Sequence, residues 1–149
     1  MPDSYAQLYV HLVWAKWDRV PSLIGATQAA AYAGIRAELA ELNVLVLAIG
    51  GIADHVHLLI KLPRTLTIAH IMKQVKGSSA HLVNHRPEDP DYIKWQKGYG
   101  AFTISKSHVP KVIGYIQRQE QHHHEGKLSK DLEMIWEEKP THPALDADE

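Results

Sequence analysis

The sequence predicts an α+β fold of the ferredoxin-like, split βαβ type: an antiparallel sheet backed by helices, with one more helix added at the C-terminal end. Three observations predict it. Short apolar, β-branched and aromatic runs recur at 6–14, 44–50 and 55–62. Stretches with apolar residues at helical spacing follow the first and third of these runs. Gly50-Gly51 then marks a tight turn between the second and third runs, which makes them a hairpin.

The elements follow in order. Residues 6–14 (AQLYVHLVW) alternate in polarity and form a strand. Residues 27–42 carry Tyr32, Ile35, Leu39 and Leu42 on one helical stripe, with Thr27 as the expected cap. The continuous apolar run 44–50 (VLVLAIG) is typical of a buried strand, and 55–62 (HVHLLIKL) is its partner. Thr65 or Thr67 opens a second helix with Ile68, Ile71, Met72, Val75, Leu82 and Val83 on its buried side. The segment HRPEDPD, 85–91, is a loop by its proline and acid content. Two short strands are expected at Ile93–Gln96 and Ala101–Ser105, separated by KGYG. The last helix starts at Ser107 as N-cap, with Pro110 in its first turn, where a missing N–H does no harm. Val109, Val112, Ile113 and Ile116 form its apolar stripe.

A chain of 149 residues suits one domain. Cysteine is absent, which excludes disulfides, thiolate metal sites and cysteine nucleophiles. Nothing at the start resembles a secretory signal, and no apolar run reaches the ~20 residues of a membrane span. A cytoplasmic protein with no membrane partner is therefore expected. The net charge of -1 argues mildly against nucleic-acid binding, where a basic balance is usual. Acids such as Glu133, Glu137, Glu138, Asp146 and Asp148 gather near the C-terminus, however, and leave the remainder basic. Phosphate binding needs only a local basic surface.

Side chains alternate along a strand. His55, His57, Leu59 and Lys61 thus share one face, and Val56, Leu58, Ile60 and Leu62 share the core face. Two imidazoles on one side of a strand stand within reach of a single divalent ion, and Asp54 is placed to orient one ring. An isolated H-x-H is also compatible with two solvated histidines. His11 on the first strand and His122 in the last helix are candidates for the shell around the same site. His81 and His85, one helical turn apart, fit a solvated helix face better than a ligand pair, and His123 and His124 are expected at the surface.

In YIQRQEQHH, Tyr115 and Gln119 are neighbours on the last helix. At ~100° per residue, Tyr115 falls on the flank of the apolar stripe among polar companions. A phenol with pKa near ~10 needs help to attack phosphate. A divalent ion, Mg²⁺ or Mn²⁺, held by two imidazoles and the Gln119 amide oxygen would provide it.

Together these pieces resemble a known family. ADHVHLLI, KGYGAFTISKSHV and VIGYIQRQEQHH, after the opening strand YVHLVWAKWDR, are similar to the single-tyrosine HUH transposases of small bacterial and archaeal insertion sequences, including REP-associated tyrosine transposases. The similarity spans about residues 5–125. It implies a catalytic domain over 1–125 followed by a charged tail at 126–149 within the same single domain. It implies that His55 and His57 are the metal-binding pair, Gln119 a third ligand and Tyr115 the nucleophile. The implied reaction cuts and rejoins single-stranded DNA through a 5′-phosphotyrosine link. The implied partners are hairpin-bearing element ends and a second copy of the chain. Ala53 departs from the proline frequent before the acid in this family.

Candidate phosphate contacts are Lys16, Arg19, Lys61, Lys73, Lys76, Lys97, Lys106 and Arg118, within a wider set that includes Arg64, Lys94 and Lys111. Trp14, Trp17, Trp95 and Tyr99 are candidates for stacking on unpaired bases. Three other readings stay open: a nucleic-acid-binding module that does not cut, a phosphoesterase that uses water, and a domesticated relative that no longer moves an element.

Overall fold

A computed structural model describes residues 4–86 and 92–119. His122 and the 126–149 tail lie outside the described residues. The chain runs through β1 (Tyr9–Ala15), α1 (Gly25–Glu41), β2 (Leu45–Ile52), β3 (His55–Lys61), α2 (Ile68–Asn84), β4 (Gly100–Ile104) and α3 (Val109–Gln117), with a 3-10 turn at Lys106–His108. The strands form one sheet in the order β2-β3-β1-β4, and every pairing is antiparallel. This is the ferredoxin-like α+β arrangement expected from the alternation of elements.

The period-two pattern decides which face each side chain takes. Val10, Leu12 and Trp14 of β1 and Val56, Leu58 and Ile60 of β3 point into one core, where Ala31, Ile35 and Leu39 of α1 and Ile71, Met72 and Val75 of α2 cover them. Trp14 and Trp95 meet edge-on there, ring centroids 5.9 Å apart, and the Trp95 indole N–H donates to the Ser79 hydroxyl at 3.0 Å. These two tryptophans are therefore core residues and not stacking surfaces. On the opposite face, Ala48 and Leu59 pack against Val112 and Ile116 of α3. That face also carries His11, His55 and His57, so α3 covers the histidine side of the sheet.

Several boundaries differ from expectation for local reasons. Thr67 caps α2, its hydroxyl accepting from the His70 N–H at 3.1 Å. Thr27 caps nothing: α1 already starts at Gly25, the N-cap position is Ile24, and Thr27 is buried inside the first turn. Ser107 lies within the 3-10 turn, and His108 takes the N-cap position of α3 with Pro110 in the first turn. The expected strand at Ile93–Gln96 reduces to one bridge, Lys16 with Trp95. Gln96 continues the contact differently, its side-chain oxygen accepting from the Ala15 N–H at 2.8 Å.

Lys76 fastens the segment before β4. Its ammonium donates to the carbonyls of Gln96 (2.8 Å), Lys97 (3.2 Å) and Gly98 (2.9 Å), and it lies 5.7 Å from the centre of the Tyr99 ring. Burial pushes its pKa down from 10.5 to about 8. Between those values the unfolded chain keeps a proton that the folded chain releases, so stability rises with pH across that window. Lys76→Met is expected to lack this rise. Urea titrations at about pH 8 and about pH 10 check it, and parallel behaviour of the two proteins would contradict it. Among the described residues, no helix is long and apolar enough to cross a membrane.

Candidate active site

The site is built on the α3-facing side of β1 and β3. Opposite residues of an antiparallel pair project to the same face. His57 stands opposite Val13, and His55 opposite Ala15. His11 is two residues before Val13, so it shares that face. All three histidines are buried, at 0–1% exposure. The His11 and His57 rings stack with centroids 5.0 Å apart and an interplanar angle of 16°. A hydrogen bond of 2.9 Å joins His11 Nε2 and His57 Nδ1. His55 meets His57 edge-on, also at 5.0 Å between centroids.

Asp54 fixes the second imidazole. Its Oδ1 lies 2.8 Å from His55 Nδ1, and its Oδ2 accepts from Arg19 Nε at 3.0 Å. Burial alone would raise the Asp54 carboxyl. The His55 hydrogen bond and charge and the Arg19 guanidinium outweigh it and hold the group below the usual carboxylate range. A carboxylate at that position accepts the proton on Nδ1, which fixes the tautomer of His55. Arg19 adopts a left-handed backbone conformation with φ of 58°, in the loop that brings its side chain back over Asp54.

Tyr115 comes from α3. Its ring centroid is 6.1 Å from that of His57, edge-on, and it is 8% exposed. Helical spacing alone puts it on the flank of the apolar stripe. The flank is buried here because the sheet face beneath α3 extends past the stripe to the histidines. Gln119 follows one turn later, buried, with its amide N–H directed at the Tyr115 carbonyl at 3.5 Å.

The expected turn at Gly50-Gly51 is not there: both glycines lie within β2, which runs on to Ile52, and the chain turns at Ala53-Asp54. Gly50 instead makes the approach of α3 feasible. It stands opposite His57 on β2, and a Cβ there would lie 2.4 Å from the Ile116 carbonyl oxygen. The next residue, Gly51, has φ of +156°, and a Cβ on it would lie 2.2 Å from the His55 carbonyl oxygen. Both positions therefore exclude side chains on steric grounds.

Of the basic candidates, Lys16 and Lys76 depart from expectation. The Lys16 ammonium is buried and donates to the Val20 carbonyl at 3.2 Å and to the Ser22 hydroxyl. The Lys76 ammonium is taken up by the three carbonyls described above. Neither is placed to meet a phosphate. Arg19 is held at the site by Asp54. Lys73, Lys97, Lys106 and Arg118 are exposed, and Lys61 is partly buried at the end of β3. His81 and His85 stack on the exposed side of α2, ring centroids 4.1 Å apart.

The order of these parts along the chain matches a known group. The family model for IS200-like transposases covers residues 4–119. The chain belongs to this family. Among its relatives are the transposases for insertion sequence element IS200 from Salmonella typhimurium and Salmonella typhi, each 25% identical over 135 residues, covering 87% of this chain and 86% of theirs. Solved structures share the fold of this IS200-like transposase. A crystal structure of a candidate transposase from Deinococcus radiodurans superposes with a TM-score of 0.63 at 23% identity, over 80% of this chain and 95% of that one. A REP-associated tyrosine transposase bound to a REP hairpin gives a TM-score of 0.62 at 14% identity, over 86% of this chain and 74% of that one.

The donor set fits a divalent ion. Two adjacent buried imidazoles, one backed by a carboxylate and the other by a third imidazole, are oriented ligands of the kind divalent metals take. Among the described residues no group of three His, Cys, Asp or Glu is arranged for a metal.

Proposed function

We propose that this chain is a single-stranded DNA endonuclease and strand transferase with Tyr115 as its nucleophile. The observation that carries the reading is the buried meeting of Tyr115 with His57, ring centroids 6.1 Å apart, beside the second imidazole of His55. The group that meets the His57 ring there is a phenol.

The Tyr115 oxygen attacks the scissile phosphorus while the bond to the 3′ oxygen breaks. The phenolic proton is balanced by the proton gained at the leaving oxygen. The products are a 5′-phosphotyrosine link and a free 3′-hydroxyl. Attack by another 3′-hydroxyl on that link joins strands and returns the proton to Tyr115. Neither water nor a nucleotide cofactor is consumed.

His55, His57 and Gln119 are the residues that would hold Mg²⁺ or Mn²⁺. When bound, the ion supplies positive charge that stabilises the phosphate in the transition state. The chain's own contribution is orientation. Asp54 and His11 engage Nδ1 of His55 and of His57, so each ligand would bind through Nε2. Burial of both rings keeps their edges fixed before DNA arrives. Hairpin-bearing element ends are the favoured substrate, since one relative of the same fold is described as bound to a REP hairpin. In this reading the working unit is a homodimer, as the family resemblance implies.

The test is a denaturing gel of protein mixed with labelled single-stranded DNA from the flanks of the element, in Mn²⁺. The native chain is expected to form a denaturant-resistant adduct and Tyr115→Phe none. Cleavage that persists in Tyr115→Phe would replace this reading with hydrolysis by water.

A further inference from the structure

Beside the histidines, at the end of the sheet where β1 leaves and β3 begins, lies an exposed aromatic patch that the chemistry above does not use. Trp17 is 60% exposed, whereas Trp14 and Trp95 are buried. The Lys94 ammonium sits over its ring, 5.1 Å from the centroid. Val20 and Ile24, 48% and 61% exposed, continue the apolar surface along the same loop.

The patch is tied to the site by backbone. Lys16 N–H donates to the Asp54 carbonyl at 2.9 Å, and Trp17 N–H donates to the Lys94 carbonyl at 2.9 Å. Trp17 thus follows, one residue on, the backbone bond that holds the Asp54-His55 turn. Arg19, two residues further, grips the Asp54 carboxylate. Trp17 and Arg19 thus lie on one loop bonded to the Asp54-His55 turn, and Lys94 joins that loop at Trp17.

We infer that Trp17, with Lys94, is a stacking platform for an unpaired base of the DNA strand beside the scissile phosphate. The inference rests on the proposed function and adds to it a binding position for the strand. An indole face takes any base by stacking, and a cation beside it meets the neighbouring phosphate. An exposed indole with cations on its flanks suits a polyanion carrying flat rings. Of the two cations, Arg19 is already paired with Asp54, so the Lys94 ammonium over the ring is the one available to a phosphate.

The experiment measures binding of a labelled oligothymidylate to the full chain by fluorescence anisotropy in metal-free buffer, so that cleavage does not intervene. Trp17→Ala is expected to bind about 10-fold more weakly, Trp17→Phe to keep most of the affinity, and Lys94→Gln to lower the dependence on salt by about one counterion. Trp17 is exposed, so these proteins are expected to fold, and a thermal melt verifies it. If the native chain forms the Tyr115 adduct but Trp17→Ala binds the single strand as tightly as the native chain, the platform is wrong and the proposed function stands. If the native chain neither binds nor forms an adduct, both are wrong. A Trp17→Ala protein that loses self-association while keeping its DNA affinity overturns the inference in favour of an interface between copies.

Discussion

His57→Ala is expected to abolish adduct formation on single-stranded DNA, with a loss of at least ~10²-fold in rate, while the protein still folds. His57 is the hub of the site: it stacks on His11, meets His55 edge-on and faces Tyr115. Its removal takes away one of the two imidazoles proposed to hold the ion and frees the Tyr115 ring from its neighbour. The main core of the sheet lies on the other face, so the fold keeps its principal support. Titration calorimetry with Mn²⁺ separates the two roles. The expected result is loss of metal affinity together with loss of the adduct, and wild-type adduct rates in His57→Ala would contradict the account.

Gly50→Ala is the second large effect, and it acts without touching any reacting group. The atom that a new Cβ would meet at 2.4 Å is a backbone oxygen, that of Ile116. No flexible side-chain end is available to yield, so α3 itself must move. Overpacking of this kind costs about 1–3 kcal/mol. The residue before Ile116 is Tyr115, so the displacement reaches the proposed nucleophile directly. A misplacement of about 1 Å at a reacting group costs on the order of 10²-fold in rate. The expected outcome is a modest fall in melting temperature and a much larger fall in adduct rate. Gly77→Ala is the control. A Cβ there meets nothing within 4 Å, and alanine is the better helix former by about 0.5–1 kcal/mol. If Gly50→Ala and Gly77→Ala behave alike, α3 is not seated as described.

The histidine pair was legible because a strand has a period of two and β3 keeps it without interruption. Val56, Leu58 and Ile60 declare the core face, and His55 and His57 follow on the other. Thr67 was legible as a cap because the hydroxyl competes locally for a backbone N–H. Burial of Tyr115 was not legible. Helical spacing gives its angle to the apolar stripe, but whether the flank is covered depends on how wide a surface lies beneath α3. The same limit applies to Lys16 and Lys76. Their residue type favours solvent, yet each ammonium finds oxygen acceptors brought together only by the tertiary fold. Ile93–Gln96 has strand composition, but its pairing stops at the single Lys16–Trp95 bridge and the backbone bonds beside it, Trp17 N–H to the Lys94 carbonyl and Gln96 N–H to the Ala15 carbonyl, and the Gln96 side-chain oxygen, not its carbonyl, accepts from the Ala15 N–H. Gly50 looked like half of a turn. Its stronger constraint, the Ile116 carbonyl above it, comes from an element more than sixty residues away in the sequence.

In the proposed reaction Tyr115 itself takes the phosphate. The most direct test is to trap the adduct between the native chain and a single-stranded oligonucleotide, digest both components, and locate the modified peptide by mass spectrometry. The expected product is a nucleotide joined through its 5′ phosphate to Tyr115, in the peptide that also holds Ile116. A nucleotide on any other residue, or cleaved DNA with no protein attached, would contradict it.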